Sequence, residues 1–118
     1  MKKFLPFLLL LASCTGTDTD IKVVDAESYR IRNLAIAYID SGLMAEASEK
    51  LAILESLIPE EAMVYANQGV VALRQNELEK ASTLLAKAAT LKPDSPEIAL
   101  LQGQVAMLTG EFENGTAI

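Results

Sequence analysis

The chain carries one thiol, no imidazole and a surplus of carboxylates, which narrows its chemistry at once. Cys14 is the single Cys, so no disulfide can form within the chain. Zinc sites of the usual kinds draw several ligands from Cys and His, and one Cys with no His cannot supply them. Carboxylates alone can hold Ca²⁺, but only when a loop delivers them in Asp-x-Asp-x-Asp-Gly spacing. Thr17-Asp18-Thr19-Asp20 comes nearest and offers far too few ligands. The commonest general base is missing with His, and no glycine-rich phosphate loop occurs. Gly42, Gly69, Gly103 and Gly110 are spaced for packing instead. The acid pairs Glu60–Glu61 and Glu77/Glu79 fall at expected helix starts, where they complement the dipole. The expectation is a non-enzyme with no catalytic residue, no metal and no cofactor.

One chemistry remains open to Cys14, and its setting defines it. Met1-Lys2-Lys3 is a positive start, Phe4 to Ala12 an almost wholly apolar core, and Leu11-Ala12-Ser13-Cys14 a small-residue exit. This is the three-part layout of a secretory signal. Nine apolar residues rise only about 14 Å as a helix, short of the ~20 residues that span hydrocarbon. The exit resembles the lipobox of bacterial lipoproteins, which implies a signal peptide over residues 1–13 and lipidation of Cys14. In that family the thiol accepts diacylglycerol as a thioether. Several acyl chains then give stable anchoring, at roughly 0.8 kcal/mol per buried methylene. The alternative is an ordinary signal-peptidase site that releases a soluble protein. Residues 14–26, small and polar at their start, read as a flexible tether reaching at most about 40 Å. A membrane-anchored lipoprotein of the bacterial envelope, facing periplasm or exterior, is the localisation expected.

Charge argues against other partners. The chain has a formal net charge of −6. Loss of residues 1–13 would remove Lys2 and Lys3, leaving 8 basic against 16 acidic residues, a net of −8. Such a surface gains nothing from counterion release on nucleic acid. It also disfavours lying flat on anionic lipid, so membrane contact is expected only through the anchor. The remainder is rich in Ala, Leu, Glu and Lys with few strand formers, which predicts an all-α body.

That body repeats every 34 residues. Pro59 and Pro93 are one period apart, as are Ala47 and Ala81, Leu51 and Leu85, and Asn33 and Asn67. Three-fold columns run through Ala35, Gly69 and Gly103, through Gly42, Asn76 and Gly110, and through Met44, Leu78 and Phe112. Each column has a physical reason. Small residues in mid-helix suit close helix approach, and Gly or Asn suits a left-handed helix end. Pro closes the second helix of a pair, because it disfavours α geometry in the residue before it. Asn76 with Glu79 and Asp94 with Glu97 have capping-box spacing. A single Cβ is expected to fit at Gly69 as it does at Ala35.

These residues resemble the tetratricopeptide repeat, a 34-residue helix–turn–helix unit. The resemblance implies a helical-hairpin solenoid over residues 27–118, with two full units, Ser28–Glu61 and Ala62–Ser95, and a truncated third from Pro96. Helices are expected near 28–41, 45–58, 62–75, 79–92 and 96–109, with a sixth starting near Phe112. Gln68 and Gln102 stand in the column of Leu34, and Ala72 and Ala106 in that of Tyr38, which predicts looser packing in the later units. The short third unit implies either a front piece of a longer chain, the favoured reading, or an open end that docks on a partner.

The resemblance also implies a concave groove that binds other proteins or peptides, lined by Asn33, Ile36, Ile39, Asn67, Val70, Leu73 and Met107, with Ala66, Leu100, Leu101 and Gln104 beside them. Arg32 and Arg74 are expected as rim charges. Family members that clamp a peptide carboxylate use Lys, Arg and Asn at such positions, whereas Ile36, Val70 and Leu100 form an apolar lining. Asn33 and Asn67 resemble an asparagine ladder that holds an extended peptide by its backbone, or are simply two solvated amides. No small-molecule substrate is expected. The function expected is an envelope scaffold for a pilus, secretion or outer-membrane assembly. The alternative is the N-terminal interaction segment of a longer exported protein.

Overall fold

The computed structural model describes residues 16–110, with side chains from residue 25 onward. Cys14, the expected signal segment and the expected sixth helix lie outside the described residues. Within them are five helices and no strand: α1 (Gly16–Asp40), α2 (Met44–Leu57), α3 (Ala62–Arg74), α4 (Leu78–Leu91) and α5 (Pro96–Thr109). Successive helices pack as antiparallel neighbours, and α3 also touches α5. The fold is the expected all-α helical-repeat solenoid.

The ends of α2 to α5 fall within a residue of the expectation. The start of α1 does not, since this helix begins at Gly16 rather than 28 and runs through the segment read as a tether. No Pro or Gly interrupts residues 17–41, so nothing in the backbone stops the helix once it is nucleated from its repeat end.

Each repeat turns twice, and each turn recurs in register. After α1, Gly42 takes φ 79°, its N–H donates to the Ile39 carbonyl (3.1 Å), and the Leu43 N–H donates to Tyr38 (2.8 Å). After α3, Asn76 takes φ 61°, its N–H donates to Leu73 (3.1 Å), and the Glu77 N–H donates to Ala72 (2.8 Å). Both satisfy the last carbonyls in a Schellman-type turn. Gly110 repeats the left-handed φ, at 80°. Asn76 is thus a helix end and not the cap of α4. That N-cap is Glu77, which makes no side-chain capping bond. At the second turn, Ile58 (φ −135°, ψ 65°) and Lys92 (φ −142°, ψ 81°) leave the α region immediately before Pro59 and Pro93. The cap of α5 is also one residue from the expectation. Ser95, not Asp94, accepts from the Ile98 N–H (3.4 Å) and donates to Glu97 (3.2 Å), with Pro96 in the first helical position.

The buried apolar side chains form two cores. One gathers Ile31, Ala35, Ile39, Leu51 and Leu54 with Val64 and Val71 of α3. The other gathers Tyr65, Ala66 and Ala72 of α3 with Leu85, Ala88 and Ile98. Helix α3 therefore belongs to both. Tyr65 fixes the inter-repeat loop: its hydroxyl donates to the Pro59 carbonyl at 2.6 Å, while the Lys87 ammonium lies 4.3 Å from the ring centroid.

The small column does not behave uniformly. A Cβ built at Gly69 would lie 2.9 Å from Leu85 Cγ and 3.0 Å from Cδ2, so the expected room for one methyl is absent. Helices α3 and α4 approach too closely across this point. A Cβ at Gly103 would meet nothing within 4 Å among the described residues.

Candidate protein-binding groove

Helices α1, α3 and α5 run parallel, because each follows one antiparallel hairpin. Two polar contacts hold α1 beside α3. Arg32 reaches Glu61 at 3.7 Å near the start of α3, and Arg74 donates to the Ile39 carbonyl at 3.4 Å near its end. Glu61 is the N-cap of α3, and the Ile39 carbonyl belongs to the last turn of α1, so both charges complement helix dipoles. The two arginines expected as rim charges make these contacts between repeats.

The column Ile39, Leu73, Met107 shows what decides exposure along the stack. Ile39 is 5% exposed, Leu73 is half-buried and Met107 is 67% exposed. Met107 lies on α5, and no described helix covers it as α3 covers Ile39 and α5 covers Leu73. Ile39 therefore packs in the first core and is removed from the groove lining. Ala66, 0% exposed, is removed for the same reason, whereas Leu100 one period later is 66% exposed. Asn33 and Ile36 are exposed on α1, and Asn67 and Val70 are half-buried on α3.

The structure brings Leu73 and Met107 together. With Gln104 and Leu108 they line an open apolar cavity of about 320 Å³ between α3 and α5. Leu108, 62% exposed, was not foreseen as a site residue. Its column holds Asp40 and Arg74 in the earlier units, which hid an apolar role. Asn33, Ile36 and Asn67 do not line this cavity.

Among the described residues, no group of three or more Cys, Asp or Glu side chains is placed to hold a metal ion. None of the described helices is long and apolar enough to cross a membrane.

Five helices in 34-residue pairs, with turns repeating in register, define a helical-repeat interaction protein. The tetratricopeptide repeat profile matches residues 32–96 and 67–115, so the chain belongs to the tetratricopeptide repeat family. Neither a curated protein nor a solved structure gives a match. Repeats of this family serve typically as non-enzymatic modules for protein–protein interaction.

Proposed function

We propose that the chain is an envelope-anchored scaffold that grips an apolar segment of another protein between α3 and α5. The observation that carries this reading is the face of α5. Leu100, Met107 and Leu108 are each more than 60% exposed on one helix, beside the cavity they share in part with Leu73. Covering one such side chain with a partner stabilises the complex by about 1.5–3 kcal/mol. Exposed apolar clusters of this kind mark interaction sites. The anchor is Cys14, lipidated at the end of the signal-like segment, and the work is assembly of a pilus, secretion or outer-membrane complex facing periplasm or exterior. Neutral amides, Gln104 and Asn67, flank the apolar surface, so contact rather than charge dominates.

The test uses a photo-crosslinking residue at position 107, with one at Thr83 of α4 as control. A discrete adduct is expected from position 107, lost with Leu73→Asp and retained in 0.5 M salt. Adducts equally strong from Thr83, or lost in salt but not with Leu73→Asp, would sink the groove. The anchor has its own readout: Cys14→Ser should abolish labelling by a fatty-acid analogue.

A further inference from the structure

The outward stripe of α5 has the same spacing in both directions along the helix. With Gln104 as its centre, Leu100 and Leu108 lie four residues to either side, and Leu101 and Met107 three. At 3.6 residues per turn, all four point within about 60° of Gln104. Leu100, Gln104, Met107 and Leu108 are exposed, and Leu101 is half-buried at the edge of the second core. Such a stripe is self-complementary. Two α5 helices laid antiparallel about a two-fold axis at Gln104 bring Leu100 of each copy to Leu108 of the other, and Leu101 to Met107. The two Gln104 amides meet on the axis, where each offers the other a donor and an acceptor. Leu100 of the second copy then stands at the open cavity lined by Leu73, Gln104, Met107 and Leu108.

Charge favours the same contact. The chain's net charge of −6 makes two copies repel across most of their surfaces. Helix α5 carries a single ionisable side chain, Glu97, at the end of the stripe, and the Ser95 hydroxyl donates to its carboxylate at 3.2 Å. Stacking head to tail is disfavoured by the opposite end of the molecule. Val64 and Val71 seat α3 in the first core, and Ile98 and Val105 seat α5 in the second. In those columns α1 has Arg30 and Ala37, and Arg30 is exposed, 3.9 Å from Glu27. Seating α1 on another copy's α5 would strip that guanidinium of water.

We propose that α5 pairs with α5 of a second copy in an antiparallel two-fold dimer, which covers the scaffold's binding face until a partner displaces it. The inference deepens the scaffold reading, on whose accessible α5 face it rests, by adding a regulation of that face. Fourteen residues make a contact only about 21 Å long. That is small beside stable interfaces, so the dimer is weak and exchanges readily.

The experiment is disulfide trapping in the purified full chain carrying Cys14→Ser, with no other protein present. Under mild oxidation Gln104→Cys should trap a homodimer by itself. Leu100→Cys and Leu108→Cys should trap poorly alone and strongly when mixed, and Thr83→Cys on α4 should stay monomeric. Without added thiols, sedimentation should show a monomer–dimer equilibrium that strengthens in high salt, as repulsion between acidic copies is screened. Met107→Glu should weaken it roughly tenfold or more by burying an unpaired carboxylate. Circular dichroism would verify that each variant folds. A monomer at every concentration, or self-trapping at position 100 or 83 as strong as at 104, would overturn the proposal. A Gln104→Cys disulfide that forms only after deletion of residues 111–118 would assign the face to the chain's own end and overturn it too. Adducts from position 107 to another protein, distinguished by mass, with no trapped homodimer would remove the dimer and leave the scaffold reading standing. A trapped homodimer without such adducts would do the reverse.

Discussion

Gly69 and Gly103 occupy one column of the repeat, and the structure gives them opposite responses to the same added methyl. In an exposed or uncrowded helix interior, Gly→Ala stabilises by roughly 0.5–1 kcal/mol, through propensity and loss of unfolded-state freedom. At Gly103 no described residue lies within 4 Å of the new Cβ, so Gly103→Ala should deliver that full gain. At Gly69 the Cβ would sit 2.9 Å from Leu85 Cγ, and Leu85 is fully buried with no room to retreat. Overpacking of this kind costs about 1–3 kcal/mol. Subtracting the helix gain of up to ~1 kcal/mol leaves a net loss of about 0–2 kcal/mol, centred near 1. Gly69→Leu should lose well over ~2 kcal/mol. Urea denaturation of the three variants against the parent provides the assay, with thermal midpoints moving by about 4–8 °C per kcal/mol in a domain of this size. Gly69→Ala as stabilising as Gly103→Ala would refute the close approach of α3 and α4.

Three further outcomes are expected. Tyr65→Phe removes the 2.6 Å bond to the Pro59 carbonyl and should cost about 1 kcal/mol in urea melts, while the ring stays under Lys87. Asn76→Gly should be neutral or slightly stabilising at φ 61°, whereas Asn76→Val should lose about 1–2 kcal/mol, measured as a shift in denaturation midpoint. Arg74→Ala breaks the contact with the Ile39 carbonyl and should cost less than ~1 kcal/mol, with the difference shrinking in 0.5 M salt.

The helix boundaries other than the start of α1 were legible because the residues that stop a helix are local. Gly42, Asn76 and Gly110 accept left-handed geometry, and Pro59 and Pro93 force their predecessors out of the α region. What stayed hidden depends on distances between elements. The column of Gly69 announces a small residue but not that Leu85 stands within 3 Å of its missing methyl. Ser95 and Asp94 are equally good caps in sequence, and the backbone turn at 93–95 chooses between them. Ile39 was readable as apolar and on the correct helix, yet its burial is set by the neighbouring repeat. The groove was thus legible as a face of three helices. Its accessible part, Leu73 with Gln104, Met107 and Leu108, became visible only once each helix was known to cover the one before it.

Because α3 gives Val64 and Val71 to one core and Tyr65, Ala66 and Ala72 to the other, the two hairpins share a single plank. Neither core can come apart at α3 without opening its neighbour. Among the described residues α1 and α5, by contrast, each contribute to a single core. Protection against amide exchange should therefore peak in α3 and fall toward both ends, following nearest-neighbour coupling in repeat arrays. The apolar face of α5 thus sits on one of the most easily loosened parts of the stack. A partner that covers this face would add at the end the neighbour that α3 already has on both sides, and its binding should be read as slowed exchange in α5 before any change in α3.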